Sequence, residues 1–126
     1  MARDKNTIKP TEAELTLLNV LWQMGPATVR QIHDVVSVSQ KTGYTTVLKI
    51  LQIMHEKSLV IRDESNRAHV YAAANSETQT QSSLLKDLVS KAFGGSTSKL
   101  VMRALDESTS QEEIADIRQL LNELET

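Results

Sequence analysis

Between Thr42 and Lys57 the chain reads TGYTTVLKILQIMHEK, and Thr45, Thr46, Lys49, Gln52 and Glu56 recur on one side of it at helical spacing. Hydroxyls and one lysine in a first turn, in place of the usual mixture of Glu and Lys, make a face that can read a nucleic-acid groove. An ordinary solvated helix face has the same polar character, so the neighbouring elements decide between the two. Catalytic patterns are absent from the sequence. Ser, His and Asp all occur, but no nucleophile elbow or glycine-rich phosphate loop does. His33, His55 and His69 are too scattered for metal-ligand spacing. With no cysteine, a thiolate metal site, a cysteine nucleophile and a disulfide framework are excluded, which fits a reducing compartment. The residue types point to binding without a metal or cofactor, and to a protein that is not an enzyme.

The reverse side of the same stretch carries Val47, Leu51 and Met54 as a continuous apolar stripe, a core face that must rest on other elements. Two short helices precede it. Pro10 and the capping box Thr11-Glu12-Ala13-Glu14 start the first; Leu15, Leu18, Leu21 and Trp22 keep the apolar spacing, and Gly25-Pro26 ends it. A second capping box, Thr28-Val29-Arg30-Gln31, starts a helix whose expected buried face is Ile32, Val35 and Val36 and which ends near Ser37. Residues 37–44, SVSQKTGY, form the turn into the polar-faced helix. Past Lys57-Ser58 the period changes to two: Leu59 to Glu64 reads as a strand, Ser65-Asn66-Arg67 as a turn, and Ala68 to Ala73 as the returning strand. Three helices followed by a two-stranded hairpin is the order of a winged helix-turn-helix, in which the third helix enters the major groove of double-stranded DNA.

From Ser76 onward the chain reads as helical. Leu84, Leu85, Leu88, Val89, Ala92 and Phe93 form one apolar face, Gly94-Gly95 breaks it, and Leu100, Val101, Ala104 and Leu105 form another. A third helix starts at the box Ser110-Gln111-Glu112-Glu113, and its Ile114, Ile117, Leu121 and Leu124 make a short heptad seam with Leu120 beside it. Three such faces exceed what a short arm hides internally, and each buried Leu or Ile is worth ~1.5 to 3 kcal/mol. A second copy covers them in a homodimer, the commonest closed assembly; folding back onto the first helices is the alternative. The fold class is therefore mainly α with a small β-hairpin: a winged helix-turn-helix DNA-binding domain at residues 1–75 and a helical dimerisation domain at 76–126. Charge follows the same division, since residues 1–75 hold nine Lys/Arg against seven Asp/Glu and residues 76–126 hold five against nine. A basic head on an acidic arm suits a DNA partner. Hydrophobic residues make up 40% of the 126 and aromatics only 3%, so the core is aliphatic. The N-terminal residues lack the apolar core of a signal peptide and no apolar run approaches ~18 residues, so the expected location is cytoplasmic, without membrane insertion.

The runs TEAELTLLNVLWQMGPATVRQI and YTTVLKILQIMHEKSLV, then the hairpin and the AFGG break, resemble the penicillinase-repressor (BlaI/MecI-like) family of bacterial winged-helix repressors over nearly the whole chain, Thr11 to about Leu124. The resemblance implies a homodimer on a palindromic operator, repressing genes for β-lactam resistance or cell-envelope and stress responses. It further implies inactivation by cleavage through a protease linked to a membrane sensor. By matching position, Tyr44, Thr45, Thr46 and Lys49 face the groove, where Lys49 donates to guanine O6/N7 or phosphate and the threonine methyls pack on thymine. Arg67 at the wing tip reaches the backbone or minor groove, and Arg30 and Lys41 flank the helix-turn-helix as phosphate contacts. Leu84, Leu88, Phe93, Leu100, Val101, Leu105, Ile114, Ile117, Leu121 and Leu124 are the dimerisation residues. Three departures stand out. Ser58 occupies a position commonly glycine, which places a serine in a left-handed turn. A copper-responsive branch carries a C-terminal cysteine cluster that this chain lacks. Better-known members are cut at an Asn-Phe bond, and the corresponding pair here is Arg103-Ala104. Two other function classes remain open at this point: a winged helix used only for protein interaction, and a repressor released by a small-molecule effector.

Overall fold

In the computed structural model, which describes residues 9–107 and 110–125, the caps read from sequence start the first two helices. For α1 (Glu12–Met24), Thr11 Oγ1 accepts the Glu14 amide at 3.2 Å while the Thr11 amide donates to Glu14 Oε1 at 2.8 Å. α2 (Val29–Ser39) opens the same way, with the Gln31 amide on Thr28 Oγ1 and the Thr28 amide on Gln31 Oε1. It runs past Ser37 to Ser39. Its buried stripe is Val29, Ile32 and Val36; Val35, expected inside, is 45% exposed. The reason is angular: Val29 and Val36 lie on one side of Ile32 around the helix and Val35 on the other, about 100° from Val36.

α3 (Tyr44–Glu56) follows, and then β2 (Val60–Asp63) and β3 (Val70–Ala73) form the antiparallel wing, with Val60 opposite Ala73 and Asp63 opposite Val70. Both strands are shorter than their sequence pattern. The expected two-stranded hairpin is a three-stranded sheet, because β1 (Ala27–Thr28) pairs with β3 through Ala27–Tyr71 and Thr28–Val70, giving the order β1-β3-β2. Two residues after Pro26, the second of them the cap of α2, carry no period-two signal, so this strand exists through its partner alone. The core beneath is aliphatic apart from Tyr71: Leu17, Leu18 and Leu21 of α1, Ile32 and Val36 of α2, Val47, Leu51 and Met54 of α3, and Leu59, Val60 and Tyr71 of the wing. Trp22 is half-buried, and its Nε1 donates to the Asn75 carbonyl oxygen at 3.0 Å.

α3 ends in a Schellman motif: the Ser58 amide donates to His55 O and the Leu59 amide to Met54 O. The residue such an ending requires in the left-handed region is Ser58, at φ 65°. An L residue there costs ~1 to 2 kcal/mol, part of which glycine's larger unfolded-state entropy, ~0.5 to 1 kcal/mol, takes back. Ser58→Gly is therefore expected to stabilise the protein by about 0.5 to 1 kcal/mol, read as a rise of a few degrees in thermal unfolding. An unchanged or lowered midpoint would show that the serine relieves its own strain.

The C-terminal part comprises α4 (Glu77–Ala92), α5 (Thr97–Asp106) and α6 (Gln111–Glu125). Ser76 and Gln79 form a capping box at the start of α4, at 3.0 and 3.1 Å, which sequence reasoning passed over although Ser76-Glu77-Thr78-Gln79 spells it. Ser96 caps α5 and Ser110 caps α6 through the Lys99 and Glu113 amides. Backbone packing divides the chain into two compact units that meet between Leu84 and Leu85, inside α4. Among the described residues of the second unit, Val89 is the only buried hydrophobic side chain. No helix of the described residues is long and apolar enough to cross a membrane.

Candidate nucleic-acid interface

α3 is two-sided in the way its sequence reads. Val47, Leu51 and Met54 are fully buried, while Thr45, Thr46, Lys49, Gln52 and Glu56 are all exposed, with Tyr44 46% exposed at the first position. Burying the apolar stripe fixes the rotation of the helix about its axis, and the hydroxyls and the lysine are thereby aimed outward.

The beginning of α3 differs from that of its neighbours. Its N-cap is Gly43, with no side-chain hydrogen bond, whereas Thr11, Thr28, Ser76, Ser96 and Ser110 cap the other helices. The first-turn N–H groups of α3 have no side chain to occupy them and can donate to an anion such as a phosphate. What holds this end is the preceding turn. Gln40 N–H donates to Val36 O, and the His33 ring spans the turn, with Nε2 2.8 Å from Thr42 O and 3.1 Å from Ser37 Oγ. A carbonyl only accepts, so Nε2 carries the hydrogen. The same ring meets Tyr44 edge-on, centroids 6.0 Å apart at 73°. Sequence reasoning set His33 aside because it sought metal spacing; the Thr42 partner, across the helix-turn-helix turn, leaves no periodic trace.

Between Arg30 and Arg67 the cations sort into two groups. Lys57 Nζ lies 2.9 Å from Glu14 Oε2, and Arg62 Nη2 lies 3.0 Å from Glu64 Oε2. Arg30, Lys41, Lys49 and Arg67 are exposed and have no ion-pair partner among the described residues. These four are the basic residues singled out from sequence, on α2, the turn, α3 and the wing loop. The wing root is built to hold still. Arg62 faces Tyr71 across the ladder, and hydrogen bonding to Tyr71, then to Glu64, raises its pKa above the ordinary value. At the loop, the Ser65 hydroxyl and then the Ser65 amide donate to Asp63 Oδ1, at 2.6 and 2.9 Å, and hold the Asp63 carboxyl below its usual range. Arg67 follows on this anchored loop, exposed and without an ion-pair partner among the described residues. No group of three or more His, Cys, Asp or Glu among the described residues is placed to hold a metal.

The ten arm residues expected at a dimer contact fall into two exposure classes. Leu84, Phe93, Leu100, Leu105, Ile114 and Ile117 are half-buried; Leu88, Val101, Leu121 and Leu124 are exposed, Leu124 to 75%. Arg103 and Ala104 lie within α5, both exposed, with the Arg103 guanidinium 4.0 Å from Asp106.

A family model for the penicillinase repressor matches residues 10–123. The chain belongs to the penicillinase repressor family. Transcriptional regulator BlaI of Mycobacterium tuberculosis is 30% identical over 115 residues, 90% of this chain and 83% of that protein. Methicillin resistance regulatory protein MecI of Staphylococcus aureus is 22% identical over 120 residues, 94% of this chain and 98% of that protein. Among solved structures, a variant of Lactococcus lactis ZitR aligns over 100% of this chain and 82% of its own, at 16% identity and a TM-score of 0.42. As a member of this family, the chain is a transcriptional repressor with a winged helix-turn-helix, and its relatives are regulators, not enzymes.

Proposed function

We propose that this repressor works in the cytoplasm as a homodimer on a palindromic operator in double-stranded DNA, with residues 1–75 binding DNA and residues 76–126 pairing the protomers. The observation that carries the DNA reading is that α3 exposes a hydroxyl face while Arg30, Lys41, Lys49 and Arg67 are exposed with no ion-pair partner among the described residues. Tyr44, Thr45, Thr46 and Lys49 read base edges in the major groove; Arg30 and Lys41 hold phosphates beside it; Arg67 contacts the backbone or minor groove from the wing. The dimer reading is supported by the apolar side chains a single chain leaves in water, among them Leu88, Val101, Leu121 and Leu124. Their cover by a second copy places two recognition helices on one duplex. A relative that regulates methicillin resistance supports control of β-lactam resistance genes, with cell-envelope or stress genes as the alternative targets.

Two substitutions test the interface. Lys49→Ala is expected to cost ~1 to 3 kcal/mol on a preferred duplex and to relax base preference, whereas Arg67→Ala weakens all sequences alike and flattens the salt dependence. Fluorescence anisotropy on preferred and random duplexes at several salt concentrations separates the two. An equal loss on both duplexes for Lys49→Ala reassigns that lysine to phosphate, and no loss for either variant removes α3 and the wing from the interface.

Release from DNA by proteolysis is the accompanying proposal, with a membrane-sensor-linked protease as the partner and Arg103-Ala104 as the bond. Because that bond lies inside α5, a protease needing an extended strand reaches it only after local opening of the helix. Cleavage would separate Ile114, Ile117, Leu121 and Leu124 from the head. An engineered protease site replacing residues 101–106 should therefore give, once nicked, a chain that dissociates to monomers and leaves its DNA. A nicked protein that stays dimeric and bound points to effector release instead.

A further inference from the structure

We propose that His33 is a positioning residue for the recognition helix: it fixes the start of α3 and the pose of Tyr44, and so sets base preference without itself touching DNA. The inference rests on the DNA-binding reading above. Gly43 gives α3 no side-chain cap, so this helix lacks the local device that pins the start of the other five. His33 supplies the missing constraint from α2. Its Nε2–H donates to Thr42 O at 2.8 Å, one residue before the cap, with Ser37 Oγ at 3.1 Å as a second partner for the same nitrogen. Its ring edge meets Tyr44, the first residue of α3. One imidazole thus holds both the backbone leading into the helix and an aromatic at its groove-facing end. Nδ1 lies on the Asp34 side, 3.9 Å from Oδ1. The ring is only 26% exposed, so it acts through the turn and not as a surface contact. Its handles are a polar one on the backbone and an aromatic one on a side chain, and separate substitutions remove them.

The test uses the full chain and a palindromic duplex that this chain itself enriches from a randomised library, with a random duplex of equal length as reference. His33→Phe keeps a ring against Tyr44 and removes the donor. It is expected to lower the selected-to-random affinity ratio about tenfold, the worth of roughly one base contact per site. Affinity for random DNA and its salt dependence should be unchanged. Amide hydrogen exchange should quicken at Val47 to Lys49, the first hydrogen-bonded amides of α3, and not in the wing. His33→Gln, which retains an N–H donor, should recover part of the ratio. An unchanged ratio in His33→Phe, or a loss shared equally by random DNA, overturns the proposal. Should His33→Phe fail to fold, imidazole nitrogen NMR on the unmodified protein decides: an Nε2-protonated ring supports the strap and an Nδ1-protonated neutral ring overturns it. Failure of the chain to enrich any duplex would instead overturn the DNA-binding reading, before any variant is made.

Discussion

A chain ending at Leu84 is expected to be a folded monomer whose affinity for a palindromic duplex falls by about 10²- to 10⁴-fold, while its affinity for an isolated half-site stays the same. The head has its own core: every residue of the buried cluster lies at or before Tyr71, and Trp22 closes onto Asn75. Nothing in that core is lost at Leu84, where the first compact unit ends. What is lost is the set of apolar side chains that the arm leaves in water, Met102 at 65% and Leu124 at 75% exposure among them. Burying several such side chains against a second copy yields ~1.5 to 3 kcal/mol each, against which the association entropy must be set. Without the pairing, the two heads bind their half-sites independently, and the effective concentration that the dimer confers disappears. Sedimentation equilibrium and half-site titration read the two halves of this prediction. A truncated head that still sediments as a dimer would place the contact elsewhere.

The second large effect is in the head, at the ion pair between α1 and the end of α3. Glu14 is 3% exposed, accepts the Thr11 amide at its N-cap, and takes Lys57 Nζ on both oxygens at 3.0 and 2.9 Å. One carboxylate therefore caps α1 and ties it to the residue where α3 turns toward the wing. Removing one member of a buried pair costs ~3 to 5 kcal/mol because the other charge is stranded. Here the two members are not equivalent. The Lys57 side chain is 33% exposed and can rehydrate, whereas the Glu14 side chain, 4% exposed, cannot. Lys57→Ala is thus expected to destabilise by about 3 kcal/mol, and Glu14→Gln, which leaves the ammonium partly in water and keeps an acceptor for the Thr11 amide, by about 2 kcal/mol. Replacing both by apolar residues of similar volume should cost less than Lys57→Ala alone. Chemical denaturation of the three variants measures the order. Equal, sub-kilocalorie losses would mean that water reaches the pair and that α1 is held by packing only.

Much of the head was legible because its signals are local. Thr11 to Glu14 and Thr28 to Gln31 form the boxes their spacing spells, the stripe Val47, Leu51 and Met54 is the buried side of α3, and the serine after Lys57 takes the left-handed turn. The basic residues chosen for DNA have no ion-pair partner among the described residues, although the sequence alone did not distinguish them from Lys57 and Arg62. What it could not supply depends on tertiary pairing. β1 has two residues and is a strand only because β3 lies beside it; Glu14 and Lys57 meet across 43 positions; His33 reaches Thr42 across a turn. Val35 is exposed because Ile32, Val35 and Val36 alone do not tell on which side of Ile32 the buried stripe continues. The arm was read as helical and is, but which of its side chains meet a partner is a property of two chains, and one chain shows only which are left uncovered.

The central claim is that two heads present their unpaired cations to one duplex, and the salt dependence of binding tests it most directly. Arg30, Lys41, Lys49 and Arg67 from both protomers make eight cations, so if all reach phosphate, log K for a self-selected palindromic duplex should fall with log salt at a slope of about −7, and at about −5 if Lys49 reads bases. The full chain is predicted to give a slope in that range with two protomers bound per duplex. A slope near zero, or saturation at one protomer per duplex, would contradict the account.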